Sequence, residues 1–203
     1  MNANQLRLQY FCICDGQQEI LYLKHLSTLL HSESRRVTFA PTMLKQGSIA
    51  TTLRNSRHIA YIKAALFDHD GNATRFDTAL RDCIKGKCIH AFSNLNFDLW
   101  LLLHRQDFSS TVSNNKAYIK HVREAFNLGK EADIKNKDVI ETSILPQISL
   151  SCVKDAVKRA SKIREHKLKS DIKKVENVVY YNNPDLSIHD FIKKVFEDSN
   201  EPY

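Results

Sequence analysis

Two acidic clusters stand where apolar runs stop. Asp15, Gly16, Gln17, Gln18 and Glu19 follow Tyr10-Phe11-Cys12-Ile13-Cys14. Asp68, His69, Asp70 and Gly71 follow Ala64-Ala65-Leu66-Phe67. A short apolar run that ends in an acid and a glycine predicts a buried parallel strand opening into a loop. Open α/β sheets bind ligands in the crevice beyond the carboxyl ends of their strands. With both strands in one sheet, Asp15, Glu19, Asp68 and Asp70 would converge there. Four carboxylates in one crevice repel one another unless a cation joins them. Mg²⁺ or Mn²⁺ is the hard cation that such oxygens suit. Either cluster alone also fits a plain helix N-terminus, where acids are favoured. It is the pair that favours a site.

A carboxylate-held cation suits phosphoryl transfer, because it offsets charge on the reacting oxygens and lowers the pKa of a bound water. Asp68 and Asp70 leave one strand end two residues apart. Gly16 would let the chain turn sharply, so that Asp15 and Glu19 share a helical face. His69, between two acids, reads as an exposed spacer or a phosphate contact. Lys24, Lys63 and Arg75 are further candidate phosphate contacts. The sequence has no Ser-His-Asp arrangement and no Gly-x-x-x-x-Gly-Lys loop, so ATP binding by this chain is not expected.

The elements that must position these groups alternate. Residues 8–14, 36–39, 61–67 and 88–92 read as strands. Residues 18–30, 74–85 and 97–104 read as helices, and 49–57 as helix or loop. Such alternation predicts a mainly parallel sheet flanked by helices. This α/β core ends near residue 108. Residues 109–203 read as a basic, mostly helical extension packed on it. Its helices are 116–128, stopped by Gly129, then 138–145, broken by Pro146, then 150–167 and 187–197.

A third motif, Ser93-Asn94-Leu95-Asn96-Phe97-Asp98-Leu99-Trp100-Leu101-Leu102-Leu103-His104, follows the strand at 88–92. Ser93 and Asn94 could donate to phosphate, and Ser93 suits a helix cap. Asp98 and His104 are further accessory candidates, His104 as a proton carrier or a packing residue. With the two acidic clusters and Asn183-Pro184-Asp185-Leu186-Ser187-Ile188-His189, this motif resembles the RloB-like proteins over roughly residues 11–195. That family carries an acidic-Gly motif, an Asp-x-Asp, then Ser-Asn-Pro-x-Phe-Glu-Leu-Trp-Leu-Leu-Leu-His and Asn-Pro-Ser-Thr-x-Val-His. Asp15 and Asp98 stand where the family typically has Glu, and Leu95 replaces its Pro. The resemblance implies a Toprim-like fold and a divalent-metal-dependent nuclease acting on RNA or DNA in bacterial defence against phage. It also implies a partner, an ABC-like ATPase encoded nearby. The shorter acids leave open a catalytically degraded module that binds nucleic acid or the ATPase.

The 203 residues carry a net charge of +7. Between Lys154 and Lys174 nine Lys or Arg face three acids. Such a field attracts polyanions through counterion release, which nominates Lys154, Lys158, Arg159, Lys162, Arg164 and Lys167 for nucleic acid. A solvated helix face is the plain alternative. The five cysteines lack zinc-ligand spacing, and Cys12 and Cys14 should share one buried face. No apolar run reaches about 18 residues, and the first residues lack a signal peptide's apolar core. A cytoplasmic protein is expected.

Overall fold

The computed structural model describes residues 8–32, 37–44, 48–56, 61–114 and 116–200. The expected strand start at Arg36, the segment end at Arg57 and residues 1–5 lie outside them. Strands β1 (Leu8–Cys14), β2 (Val37–Met43), β3 (Ile62–Asp68) and β4 (Ile89–Asn94) alternate with helices α1 (Gln17–Ser32), α2 (Ile49–Asn55), α3 (Ala73–Lys85) and α4 (Asp98–Leu103). Then come α5 (Ala117–Ala125), a short α6 (Lys137–Val139), α7 (Leu150–Glu165), β5 (Lys173–Val175), β6 (Val178–Tyr180), β7 (Asp185–Leu186) and α8 (Ile188–Ser199).

The main sheet has the order β2-β1-β3-β4-β7. Its first four strands are parallel, and β7 pairs antiparallel with the end of β4, Ser93 opposite Leu186 and Asn94 opposite Asp185. A mostly parallel sheet flanked by helices, with a C-terminal helix, is consistent with a Toprim-like fold. Alternation along β1 shows why the sheet is covered on both faces. Tyr10, Cys12 and Cys14 join a core with α1, α4, α7 and α8, while Phe11 and Ile13 join a second core with α2 and α3. Continuous apolar strands are what burial on both faces requires. All five cysteines are free thiols. Among the described residues no helix is long and apolar enough to cross a membrane.

The extension departs from an all-helical reading. Lys173–Val175 and Val178–Tyr180 form a two-stranded antiparallel hairpin, and β7 completes the main sheet. Helix α5 stops on Asn127, which holds a left-handed φ of 54°, and not on Gly129. Asn tolerates that conformation. Near Pro146 the chain passes through a π-helical turn, Ile140–Ile144, and a 3-10 turn, Leu145–Gln147. The Asn183–His189 motif works as a clasp. Ser187 Oγ donates to the His90 carbonyl at 3.0 Å and accepts the Phe92 N–H at 3.1 Å.

Three of the basic residues nominated for nucleic acid have internal partners. Arg164 Nε donates to the buried Asp185 at 2.8 Å, its Nη2 donates to the Val179 carbonyl, and its plane lies over Phe92 and Tyr181. Arg159 donates to the Leu103 carbonyl and pairs with Asp107. Lys167 donates to the Asn182 carbonyl at 2.8 Å. These contacts tie α7 to the sheet edge and to the end of α4. Lys158 and Lys162 are exposed, and Lys154 is half-buried.

Asp185 therefore fastens the extension to the core, since it also accepts the Tyr181 N–H at 2.8 Å. Asp185→Ala should cost about 3 kcal/mol in urea unfolding, the low end for breaking a buried pair, because Arg164 stays 24% exposed. A loss under about 1 kcal/mol would show that the pair holds nothing together.

Candidate functional site

Beyond the carboxyl ends of β1 and β3 lies a cavity of about 540 Å³. Asp15, Glu19, Asp68 and Asp70 all line it, with Gln18, Arg75, Asn96, Asp98, Lys116 and Lys135. The parallel register of β1 and β3, Cys14 opposite Leu66, brings the two acidic loops side by side. Asp15 is anchored there by its N–H, which donates to the Leu66 carbonyl at 3.0 Å. Asp70 and Gly71 turn the chain from β3 into α3 with φ of 49° and 72°. Asn72 Oδ1 then caps α3 by accepting the Arg75 N–H at 3.0 Å.

Two of the carboxylates are already bridged. The Arg75 guanidinium contacts both oxygens of Asp15 and reaches Asp70 Oδ2 at 3.4 Å. Arg75 thus stands between the two acidic loops as their organic cation. The other two are unbridged. Glu19 is buried, and its Oε2 has no hydrogen-bond partner. Gly16 makes room for it, since a Cβ at that position would sit 2.8 Å from Glu19 Oε2. Burial pushes the Glu19 carboxyl up to about 7, with Asp15 and Asp98 adding and Lys135 opposing. Asp68 is raised well above the usual carboxylate range by burial, then by Glu19 and Asp70.

Asp98 starts α4 and is fully buried, yet it is well partnered. It accepts from Lys135 Nζ at 2.8 Å, from Gln18 Nε2 at 3.1 Å and from Asn96 Nδ2 at 3.1 Å. Lys135 Nζ also donates to Gln18 Oε1 at 2.6 Å. Asp98 therefore acts as the holder of a basic side chain. Lys135, Lys116 and Gln18 are site residues that the motifs did not reveal. Lys135 and Lys116 lie in the extension, where nothing local marks them. Gln18 stood inside the first acidic motif, and its hint was an amide on the apolar side of a helix start.

The accessory candidates separate. Ser93 does not cap α4, because it belongs to β4; the Asp98 N–H at the start of α4 donates to Asn96 Oδ1 at 3.2 Å. Ser93 Oγ is buried without a partner, and Asn94 Nδ2 donates to the Tyr181 carbonyl at 2.9 Å. His104 lies in the core, away from the cavity lining. It is bonded to the Trp100 carbonyl through Nδ1 at 2.8 Å and to the Tyr22 hydroxyl through Nε2 at 3.1 Å. Burial lowers its pKa to about 3, so it stays neutral. His69 is neither spacer nor phosphate contact, because its ring packs on Phe76 at 4.9 Å and accepts the Gly71 N–H. Lys24 and Lys63 do not line the cavity, whereas Arg75 does.

Among the described residues no three His, Cys, Asp or Glu side chains are gathered as a ready metal cage. The donor set still fits Mg²⁺ or Mn²⁺. Mg²⁺ is bound through one or two carboxylates and completes its shell with water and phosphate oxygens. Glu19 and Asp68 fit such a pair, since Glu19 Oε2 has no partner and burial makes both carboxyls costly to ionise without a nearby cation. Asp15 and Asp70 could join only by releasing Arg75.

The family of RloB-like proteins matches residues 10–195 of the chain. No curated protein and no solved structure matches it.

Glu19 gives a pH test. Its folded pKa, about 7, lies above the ordinary carboxyl value of 4.5, so the folded state binds the extra proton between those pH values. Stability from this group is present below about pH 4.5 and is lost as pH rises through 7. Glu19→Gln should therefore melt higher than the wild type at pH 8 by about 5 °C, as ~2 kcal/mol gives in a domain this size. At pH 5 the gain should shrink to about a quarter, and at pH 4 it should vanish. An equal difference at all three pH values would show that Glu19 is not held protonated.

Proposed function

We propose, from the premise that this chain belongs to the RloB-like protein family, that it is a divalent-metal-dependent, Toprim-like nuclease. It hydrolyses phosphodiester bonds of RNA or DNA. The observation that carries this reading is the open pair Glu19 and Asp68, facing one cavity with Arg75, Lys116 and Lys135. Carboxylates ready for a hard cation, beside fixed side-chain cations, suit a phosphodiester better than a neutral substrate.

Glu19 and Asp68 would hold Mg²⁺ or Mn²⁺, which neutralises phosphate charge and lowers the pKa of a bound water. Lys135, fixed on Asp98 and Gln18, offers an N–H toward a nonbridging phosphate oxygen. Arg75 can exchange Asp70, its more distant partner, for a second phosphate oxygen. The water oxygen bonds to phosphorus, the phosphorus–oxygen bond to the leaving sugar breaks, and the water's proton ends on solvent or the sugar oxygen. Gly16 keeps the Glu19 carboxylate in place by leaving it room.

The family resemblance supports a place in anti-phage defence, an ABC-like ATPase as partner and a cytoplasmic setting. The Arg75 bridge favours a second reading, in which the module is catalytically degraded and only binds nucleic acid or the ATPase. Asp68→Ala separates the two. Under the nuclease reading it should lower Mg²⁺- or Mn²⁺-dependent cleavage at least 100-fold, while the fold by circular dichroism and polyanion binding stay intact. If the wild type cuts no faster than Asp68→Ala with either metal and with the ATPase supplied, the binding reading takes its place.

The basic helix yields a separate test. Lys158→Glu with Lys162→Glu should flatten the dependence of nucleic-acid affinity on salt, by about 0.7 to 0.9 in log–log slope for each phosphate that is no longer neutralised. Arg159→Glu is unsuitable, because that residue holds the Leu103 carbonyl. An unchanged slope in filter binding would show that the exposed lysines meet only solvent.

A further inference from the structure

Across the Arg75 bridge lies a second cavity, of about 390 Å³. Asp15, Asp68 and Arg75 border it as they border the acidic crevice. Its remaining lining adds an apolar wall, Leu44, Ile49, Phe67 and Ala79, edged by the polar Ser48, Asn72, Thr74, Thr78 and Asp82. The wall is fixed, because α2 is fastened to α3. Asp82 Oδ2 accepts the Ala50 N–H at 2.9 Å. Gly86 permits the close approach, since a Cβ there would sit 2.4 Å from Leu53 Cδ1. The volume lies in the range of small-ligand pockets, which are mostly apolar with a few placed polar groups.

A polynucleotide has this same alternation, a charged phosphate joined through a sugar to a flat, largely apolar base. We infer that the second cavity holds the nucleoside unit next to the phosphate that enters the acidic crevice. The base lies against Leu44, Ile49 and Phe67, and the sugar faces Thr74 and Thr78. Thr78 Oγ1 donates to the Thr74 carbonyl at 2.8 Å, which leaves its lone pairs to accept from a sugar hydroxyl. Arg75 sits at the threshold, where its charge meets the linking phosphate. The position of that phosphate rests on the nuclease reading, but binding of a nucleoside in the pocket requires no cleavage.

The test titrates the full chain, with Mg²⁺ present, with AMP, UMP, dAMP and dTMP and with inorganic phosphate, read by calorimetry. The nucleotides should bind at least tenfold more tightly than inorganic phosphate. Ala79→Phe, which fills the wall and replaces none of the cavity's carboxylates, should erase that advantage and leave phosphate affinity within twofold. The wild type supplies a second measurement that survives misfolding of the variant. Ultraviolet crosslinks from an oligonucleotide carrying 4-thiouridine or 4-thiothymidine should map by mass spectrometry to the Leu44, Ile49 or Phe67 segments. A ribose preference, or equal affinity for both sugars, supports the pocket and says whether the 2′-hydroxyl is read. Nucleotides no tighter than phosphate, a full advantage in folded Ala79→Phe, or crosslinks confined to other segments would overturn it. If Asp68→Ala shows that the protein does not cut, a nucleotide advantage that disappears in Ala79→Phe still upholds the pocket. An active nuclease lacking that advantage keeps its chemistry and loses the pocket.

Discussion

Negative charge buried at the ends of two neighbouring strands organises this molecule. Parallel pairing of β1 and β3 forces Asp15 and Glu19 next to Asp68 and Asp70. Water does not reach Glu19 well enough to solvate it, and its Oε2 finds no partner. Like charges held at short range in a poorly solvated place cost free energy until a counter-charge arrives. The chain supplies part of that counter-charge itself, through Arg75 on one side and Lys135 on the other. It compensates Glu19 and Asp68 only in part, through Lys135. That imbalance costs stability.

The extension is part of the same machinery. Lys135 and Lys116 reach into the crevice from it, and β7 lines the far edge of the sheet. Gln18 and Asn96 hold Asp98 from the core side, while Lys135 holds it from the extension. A buried carboxylate shared in this way sets the spacing between the two parts. Arg164 and Asp185 repeat the arrangement at the sheet edge. The basic character of α7 and the residues just after it thus has two origins, internal clamping by Arg159, Arg164 and Lys167, and an exposed remainder at Lys158 and Lys162.

The alternation of strands and helices through residue 104 was legible where β1, β3 and β4 are short apolar runs punctuated by acid or asparagine; β2 was read only to Phe39, because Pro41 and the absence of such punctuation hide its run to Met43. The convergence of the acidic loops was legible for the same reason, since strand ends of a parallel sheet face one way. The Arg75 bridge was not legible. It depends on the reach of one side chain across a turn whose left-handed Asp70 and Gly71 no motif specifies. Lys135 stayed hidden because its link to Asp98 spans 37 positions and leaves no local pattern. Ser93 looked like a cap because Ser often is one, but the strand runs one residue past it. Charge counting misread Arg164, because a guanidinium drawn to a buried carboxylate looks, in one dimension, like one drawn to phosphate. The three short strands after α7 carry too few residues for an apolar period to show.

The pairing of β4 with β7 has a consequence for the order of assembly. The partners lie about ninety positions apart in the chain. Until Leu186 has left the ribosome, the β4 edge presents unpaired backbone groups, the kind of edge that recruits other strands. Contacts of such long sequence separation also form late and slowly. The crevice obtains Lys135 only after more than half of the chain has been made. A nascent chain therefore carries its four acids and Arg75 well before it carries Lys135, the cation that holds Asp98.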